Sequence, residues 1–450
     1  MPDGTTAMSP LLDLARAAAA AELSPDWLVA LRREAAEGFA SAGLPGRRDE
    51  YWRYTNLNAL AQRDYAMAGA GSAPDVATLV DASLDGFDGY RIIFVNGRYQ
   101  PDLSVRGGLP DGVRLAGLAG LLAQEPETLK PWLGRIADLG GMPLAALNTA
   151  FLGDGMVLLV DKGVVLDKPV LLVSVGAPDE RAVTYQPRNL VVLGDGAAAS
   201  LVEAHIGAGS DVGYFANIVT EIALGESARL DHCKLQDEAA SAHHLALVEA
   251  RLARGAVYDG FVLQTGAAIG RHETRATLDG TDIECSLAGV YLAREGQVLD
   301  NTTLVDHLAP AGRSRQVFKG VLDGQSRGVF QGKILVRREA QQTDGHQLSR
   351  ALLLSPRAEI DTRPELEIYA DDVKCSHGAT AGDLDETAMF YLLSRGIDRE
   401  TARRLLVGAF VADALGGIGA PATAEFFSTR VRAWLDAHIG ALPDTGDDVP

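Results

Sequence analysis

The stretch 189–204, NLVVLGDGAAASLVEA, and its successor at 217–235, NIVTEIALGESARLDHCKL, decide how this chain is built. Each holds a Val/Leu/Ile-rich run, a tight polar turn after a leucine, and a second apolar run, which is how two short strands joined by a turn read. The unit returns as LGDGA (193–197), LGESA (224–228), LARGA (252–256) and LDGQS (322–326). The turn residues Gly196, Ser227 and Gly255 lie 31 and 28 positions apart, and Gly296 and Gly324 are again 28 apart. A loose period of this size predicts a strand solenoid with one to two coils per repeat. A coil cannot bury its apolar face alone, so it stacks on neighbours and needs covers at both ends. A sandwich or several barrels would also produce many short strands, and the pattern leaves those architectures open.

Outward from this core, the period of two holds from about Tyr90 to Ile368, with a helical interruption from about Leu115 to Leu139. Before it, Ser9-Pro10 and Ser24-Pro25-Asp26 open two helices, the second ended by Gly43 and Pro45. Trp27, Leu28, Leu31 and Ala35 fall near one face of the second helix, which therefore needs something to pack on. AMAGAGSAP (66–74) has the small residues of a linker. After Gly382 the helical period returns. Asp383 or Asp385 can cap a helix closed by Gly396, and Asp398 caps the next. On that helix Arg399, Arg403 and Arg404 make a polar side, and Leu405, Leu406, Ala409, Phe410 and Val411 an apolar face. The tail PDTGDDVP has the composition of a disordered segment. The expected division is a helical domain over 1–75, a β core over 76–380 and a helical domain over 381–450.

Composition narrows the function. The 450 residues carry a formal charge of -19, a field that repels nucleic-acid phosphates and anionic membrane surfaces. Aromatics are only 6% and glycines number 49, so the core is built from Val, Leu, Ile and Ala. The three cysteines, Cys233, Cys285 and Cys375, are odd in number and far apart, which fits a reducing cytosol better than a disulfide-stapled secreted domain. The Ala-rich start lacks the basic segment of a signal peptide, and no run approaches the ~18 apolar residues of a membrane span. A cytoplasmic protein is expected.

Nucleotide motifs are missing. The nearest approach to a phosphate loop, Gly328-Val-Phe-Gln-Gly332-Lys333, lacks one spacer residue and has Ile334 where Ser or Thr would hold magnesium. The densest group of candidate ligands is Asp371-Asp372-Val373-Lys374-Cys375-Ser376-His377-Gly378. If extended, Cys375 and His377 point to one face, a thiolate beside an imidazole suited to iron or zinc. One pair cannot close a four-coordinate site. From spacing alone the plainer reading is a buried Cys with a hydrogen-bonded His near a strand end. His232-Cys233 and Glu284-Cys285 put neighbours on opposite faces and read as core packing. His243-His244 and His272-Glu273 fit surface positions on strand edges equally well, and Arg313, Arg315, Lys319 and Lys333 read as solvated strand faces. A polysaccharide-cleaving solenoid would need a carboxylate pair in a groove. Nothing in the spacing of Asp300, Asp306 and Asp323 singles them out for that role.

The stretch PELEIYADDVKCSHGATAGDLDETAMFYLLSRGI (364–397) resembles the C-terminal signature of the SufB/SufD family of iron–sulfur cluster assembly scaffolds. GRRDEYWRYTNL (46–57), FVNGRY (94–99), ALNTAFLGDG (146–155), QPRNLVVLGDGA (186–197) and RSRQVFKGVLDGQSRGVFQGKILV (313–336) agree in order, so the resemblance spans nearly the whole chain. It implies a mainly β fold, a right-handed parallel β-helix flanked by N- and C-terminal α-helical domains. It also implies a non-enzymatic scaffold working with a SufB-like paralogue and a SufC-like ABC-type ATPase. SufB-type members carry a cysteine in the strand before the signature and a LEHEAT-like sequence within it. Here Gln341 to Leu354 has no cysteine and the signature reads KCSHGAT, which places the chain with the SufD-type members. The resemblance reverses the plainer reading of the pair. His377, and with it Cys375, becomes a ligand of a transient iron–sulfur cluster shared with the SufB-like partner. The C-terminal helices, with Met389, Leu405, Leu406 and Phe410, become the ATPase-docking surface. Whether the isolated chain pairs with itself, and whether the complex carries a flavin, is left open.

Overall fold

The computed structural model describes residues 10–20, 25–69, 76–84, 86–137, 141–178, 180–209 and 212–439. From Arg188 onward the strands alternate between two sheets. Arg188–Leu193, Tyr214–Leu224, His243–Leu252, Ile269–Leu278, Val298–His307, Arg327–Val336 and Glu359–Ile368 form the first. Ala198–Gly207, Arg229–Asp237, Val257–Gln264, Glu284–Ala293, Arg313–Leu322, Thr343–Leu353 and Val373–Gly382 form the second. Neighbours within these runs are parallel, and His243, Ile269, Val298, Arg327 and Glu359 stand in one register column. One coil therefore takes one repeat, and the chain winds a parallel β-solenoid of about seven turns.

The turns explain the spacing seen in the sequence. Gly196, Ser227 and Gly255 all have positive φ and sit in one column, which continues through Asp282, Ala311 and Gln342. Each donates its amide to the turn above: Gly196 to Glu226, Ser227 to Arg254, Gly255 to Thr281. Glycine carries no Cβ penalty at such a position, which is why it recurs there. Gly296 and Gly324 also have positive φ, but they stand in the column on the other side of the coil.

The apolar side chains between the sheets, among them Ile92, Leu158, Val191, Leu230, Tyr258 and Leu299, form the central core. The terminal helices lie on the flanks of the solenoid, where end covers were expected. Pro10–Ala20, Asp26–Ala42 and Pro143–Ala150 pack on Phe215, Leu245 and Ile269 of the first sheet, and Leu28 joins Leu118 and Leu129 over Val157 and Leu190. Val76–Leu84, Arg399–Leu415 and Pro421–His438 cover the outer face of the second sheet, with Phe427 edge-on to Phe261. With both faces of both sheets covered, the strands read as near-continuous apolar runs. The last strands, Glu359–Ile368 and Val373–Gly382, each pair on one side only; the first is mostly half-buried and the second largely exposed. The solenoid is open at this end.

Asp385 and Asp398 do cap the helices Glu386–Ser394 and Arg399–Leu415, and Gly43 ends Asp26–Ala42. Other expectations need correction. Ala66–Met67, inside the supposed linker, is a short strand bonded to Val183–Thr184. The buried face of Arg399–Leu415 is Ala402, Arg403, Val407, Val411 and Ala414, so Arg403 belongs to the inner side and donates to the Leu354 carbonyl. Lys319 is not solvated. It is buried under the same helix, 3.2 Å from Asp413 and 4.7 Å from the Phe410 ring centroid. Ser9, Ser24, Leu139 and the tail 443–450 lie outside the described residues.

Candidate functional site

Cys375 and His377 stand two apart on the final strand, Val373–Gly382, and so share a face. Cys375 lies beside Gly345 and packs with Ile334, Val336, Ala340 and Ala370, which turns this face toward the interior of the last coil. Partial burial pushes its thiol pKa up, opposed by a hydrogen bond from the Gly345 backbone. His377 stands in register with Gln347 and is exposed. On the opposite face, His346 Nδ1 and the Ser376 hydroxyl are 2.6 Å apart. Among the described residues no group of three or more His, Cys, Asp or Glu side chains converges as a metal site. The edge offers one thiol and one imidazole, a donor set that fits iron but needs further ligands from outside the chain.

Of the four residues expected at an ATPase-docking surface, Met389 is buried, and Leu406 and Phe410 are half-buried with Phe410 packed toward the second sheet. Leu405 is 52% exposed. Phe390 and Tyr391, at 72% and 55%, are the exposed aromatics that the sequence pattern did not separate from their buried neighbour. Cys233 and Cys285 are core residues, as expected.

The histidines at 244 and 272 are interior rather than surface residues. Glu203 Oε1 and Oε2 lie 2.9 Å from His232 Nε2 and 2.8 Å from His205 Nε2, and Lys234 Nζ is 3.8 Å away. His244 Nδ1 lies 2.7 Å from Glu238 Oε2, and His272 Nε2 lies 3.0 Å from the Thr274 hydroxyl. Burial alone would raise the Glu203 carboxyl pKa, but Lys234 and the two histidines outweigh it and hold the group well below its ordinary value. Burial, with the Lys234 charge, lowers His205 to about 4. His243 sits apart from this cluster but is also buried. Strand periodicity could place these side chains on one face, but not say that the face was the interior.

The imagined acid–base carboxylates are tied up elsewhere. Asp300 is buried against Arg271 and Thr55, and Asp306 pairs with Arg337. Asp323 lies 3.9 Å from Arg403. Gly328 to Lys333 sits within the extended strand Arg327–Val336, so its amides bond to neighbouring strands and make no phosphate cradle. No helix among the described residues is long and apolar enough to cross a membrane.

A parallel two-sheet solenoid with helices on its flanks and one open end places the chain in the class of β-solenoid proteins. The family profile described as "SUF system FeS cluster assembly, SufBD core domain" matches residues 176–410, and "SufBD protein N-terminal region" matches 11–172. The chain is 34% identical over 398 residues to an iron–sulfur cluster assembly SufBD family protein of Synechocystis, covering 87% of each. It is 32% identical over 387 residues to the iron–sulfur cluster assembly protein SufD of Escherichia coli (82% of this chain, 84% of that one). It is 31% identical over 421 residues to the chloroplastic protein ABCI7 of Arabidopsis thaliana (92% and 85%). The chain belongs to the SufBD family of iron–sulfur cluster assembly proteins.

Proposed function

We propose that the chain is a non-enzymatic scaffold subunit that works in the cytoplasm with a SufB-like paralogue and a SufC-like ABC-type ATPase. In this reading its open solenoid edge supplies His377, and secondarily Cys375, to a nascent cluster shared across the interface with the paralogue. The observation that carries it is the incomplete donor pair on an edge strand paired on one side only. Unpaired amides and carbonyls of Glu359–Ile368 and Val373–Gly382 invite strand addition by another chain. A second chain would bring the missing ligands to the same place. The solenoid core, 76–380 in the expected division, forms this interface, while the helices after residue 381 present Phe390, Tyr391 and Leu405 to the ATPase. ATP-driven movement of the ATPase subunits would pull on those helices and open the shared edge to iron and sulfide.

Co-expression with the cognate SufB-like and SufC-like proteins, anaerobic purification, and assay for iron and acid-labile sulfide tests the proposal. A stable three-component complex carrying both is expected. His377→Ala should lower the cluster yield while the complex stays assembled. An unchanged yield removes His377 from the ligand set, and a chain that elutes alone and metal-free beside folded partners overturns the scaffold reading.

A further inference from the structure

Part of the solenoid interior is polar where an apolar filling would be more stable. Burying ionised groups costs several kcal/mol each unless they are fully paired. Yet Glu203, Lys234, Glu238 and the inward-facing His205, His232, His244 and His272 are all nearly inaccessible between the sheets. A cavity of about 10 Å³, room for one water, is lined by His232, Lys234, Tyr258, His272 and Thr274 together with the apolar Phe261, Val262, Leu287 and Phe318.

From this cavity a polar column runs rung by rung to the open end. His272 stands beside Asn301 and Thr274 beside Thr303 in adjacent strands. Thr303 donates to Gln316 Oε1 across the interior. Gln316, Gln347 and His377 then occupy consecutive rungs of the second sheet, about 4.8 Å apart. Along the way His272 Nδ1, Asn301 Oδ1, Gln316 Nε2 and Gln347 Oε1 are buried with no protein partner. Buried polar atoms left in this way are where ordered water binds when space admits it.

We propose that this interior is a water-carried proton path joining the Glu203–His232–Lys234 cluster to the open-end pair Cys375 and His377. The inference rests on the open-end reading above. A hydrosulfide that becomes a bridging sulfide at the edge loses one proton, and no electron moves in that step. The neutral imidazoles of the cluster pass the proton on to solvent rather than hold it. In the single chain His377 meets water directly, but a partner seated on the edge closes that exit. The titratable groups facing Glu203 and His232 are Lys234, His205, His244, Glu238, His272 and Tyr258. Burial keeps the His272 imidazole pKa well below its ordinary value, with Lys234 and His232 adding to the effect. His272 is therefore neutral near pH 7, the form able both to accept and to donate.

Two measurements test the path. In the metal-free full chain with ¹⁵N-labelled imidazoles, the ring N–H of His232 should exchange with solvent at least ~10-fold faster than the backbone amide of Cys233 beside it. Thr303→Val, which removes one hydroxyl at nearly constant volume, should slow that exchange about as much, and Asn301→Leu should do the same. Ring protons locked as long as the amides, or indifferent to both substitutions, overturn the path whatever happens to the cluster. In the three-component complex supplied with ferrous iron and sulfide, Thr303→Val should slow cluster formation several-fold and change its pH profile, with final occupancy unchanged. The wild-type rate and profile in the variant overturn the proposal. A wild-type complex that takes up no cluster removes the proton source, and that failure belongs to the open-end reading because exchange in the chain alone is untouched.

Discussion

The Arg188 guanidinium and the Glu221 carboxylate meet at 2.9 Å, and solvent reaches neither. Glu221 also accepts the backbone amides of Gly134, Ile136 and Ala137 at 2.8 to 3.0 Å, and Arg188 donates to Asn148 Oδ1 at 2.8 Å and to the Thr149 hydroxyl. Asn148 in turn bonds the carbonyls of Pro187 and Asn217. Two segments quoted from the sequence, ALNTAFLGDG and QPRNLVVLGDGA, are thus halves of one buried network that fastens the helical insertion to the first sheet.

Removing one member of this pair should leave a buried charge without its partner. Glu221→Ala is expected to cost about 3–5 kcal/mol, whereas Arg188→Met with Glu221→Leu should cost clearly less than the two single changes summed. Urea unfolding followed by circular dichroism measures both. Singles costing under ~1 kcal/mol would contradict the assignment.

Gly155 allows the chain to pass against Arg188. A Cβ there would lie 2.1 Å from the Arg188 carbonyl oxygen, and its φ is +149°. Gly155→Ala should destabilise by more than an ordinary overpacking change of about 1–3 kcal/mol, because backbone on both sides has to move. Gly163→Ala, with positive φ but open space around it, serves as the control and should cost about 1 kcal/mol.

The three thiols should differ sharply in reactivity. Burial raises Cys285 to about 12 and raises Cys233 as well, whereas Cys375 is only partly buried. Iodoacetamide at pH 8 under native conditions is expected to modify Cys375 alone, as read by peptide mass spectrometry. Equal labelling of all three would show that the sheets open far more readily than their packing implies.

Acid should destabilise the fold before the carboxylates titrate. Burial holds His205, His243 and His307 near 4, against about 6.5 in an unfolded chain. The unfolded state then binds more protons, so stability falls as pH drops through 6.5 and this loss levels off below 4. Summed over the group it is on the order of 10 kcal/mol once complete. His307→Gln, at a site whose Nε2 lies 2.9 Å from the Ser314 hydroxyl, should flatten the dependence of the urea midpoint in that window. An identical slope in the variant would remove His307 from the account.

Phe390 and Tyr391 are predicted to matter to ATPase binding and not to folding. Phe390→Ser with Tyr391→Ser should weaken association with the SufC-like protein by tenfold or more in calorimetry, at an unchanged unfolding midpoint. Met389→Ser should do the reverse, lowering the midpoint because that side chain is buried. Unchanged affinity in the double variant places the docking surface elsewhere.

Much of the fold was readable because its cues are local. Gly43, Asp385 and Asp398 mark helix ends through their own backbone and side-chain preferences. The spacing of Gly196, Ser227 and Gly255 is imposed by one coil of chain. Gly296 and Gly324 belong to the opposite column, and a list of turns without a register cannot tell the columns apart. Arg403 and Lys319 looked like surface residues because what buries them comes from elements that sequence spacing does not bring together. The candidate pair Cys375 and His377 was legible as two residues on one face, since strand alternation dictates it.

The sequence by itself determined the repeat spacing, the helical ends and the broken phosphate-loop motif, all properties of short segments and their spacing. The tertiary structure alone decided that the terminal helices lie along the flanks and that one end stays open. It also placed Glu203, His232, Lys234 and His272 in the interior. In a solenoid both faces of a strand are covered, one by the opposite sheet and one by helices, so an apolar run fits either face. Which face turns inward is settled only when the coils close on one another.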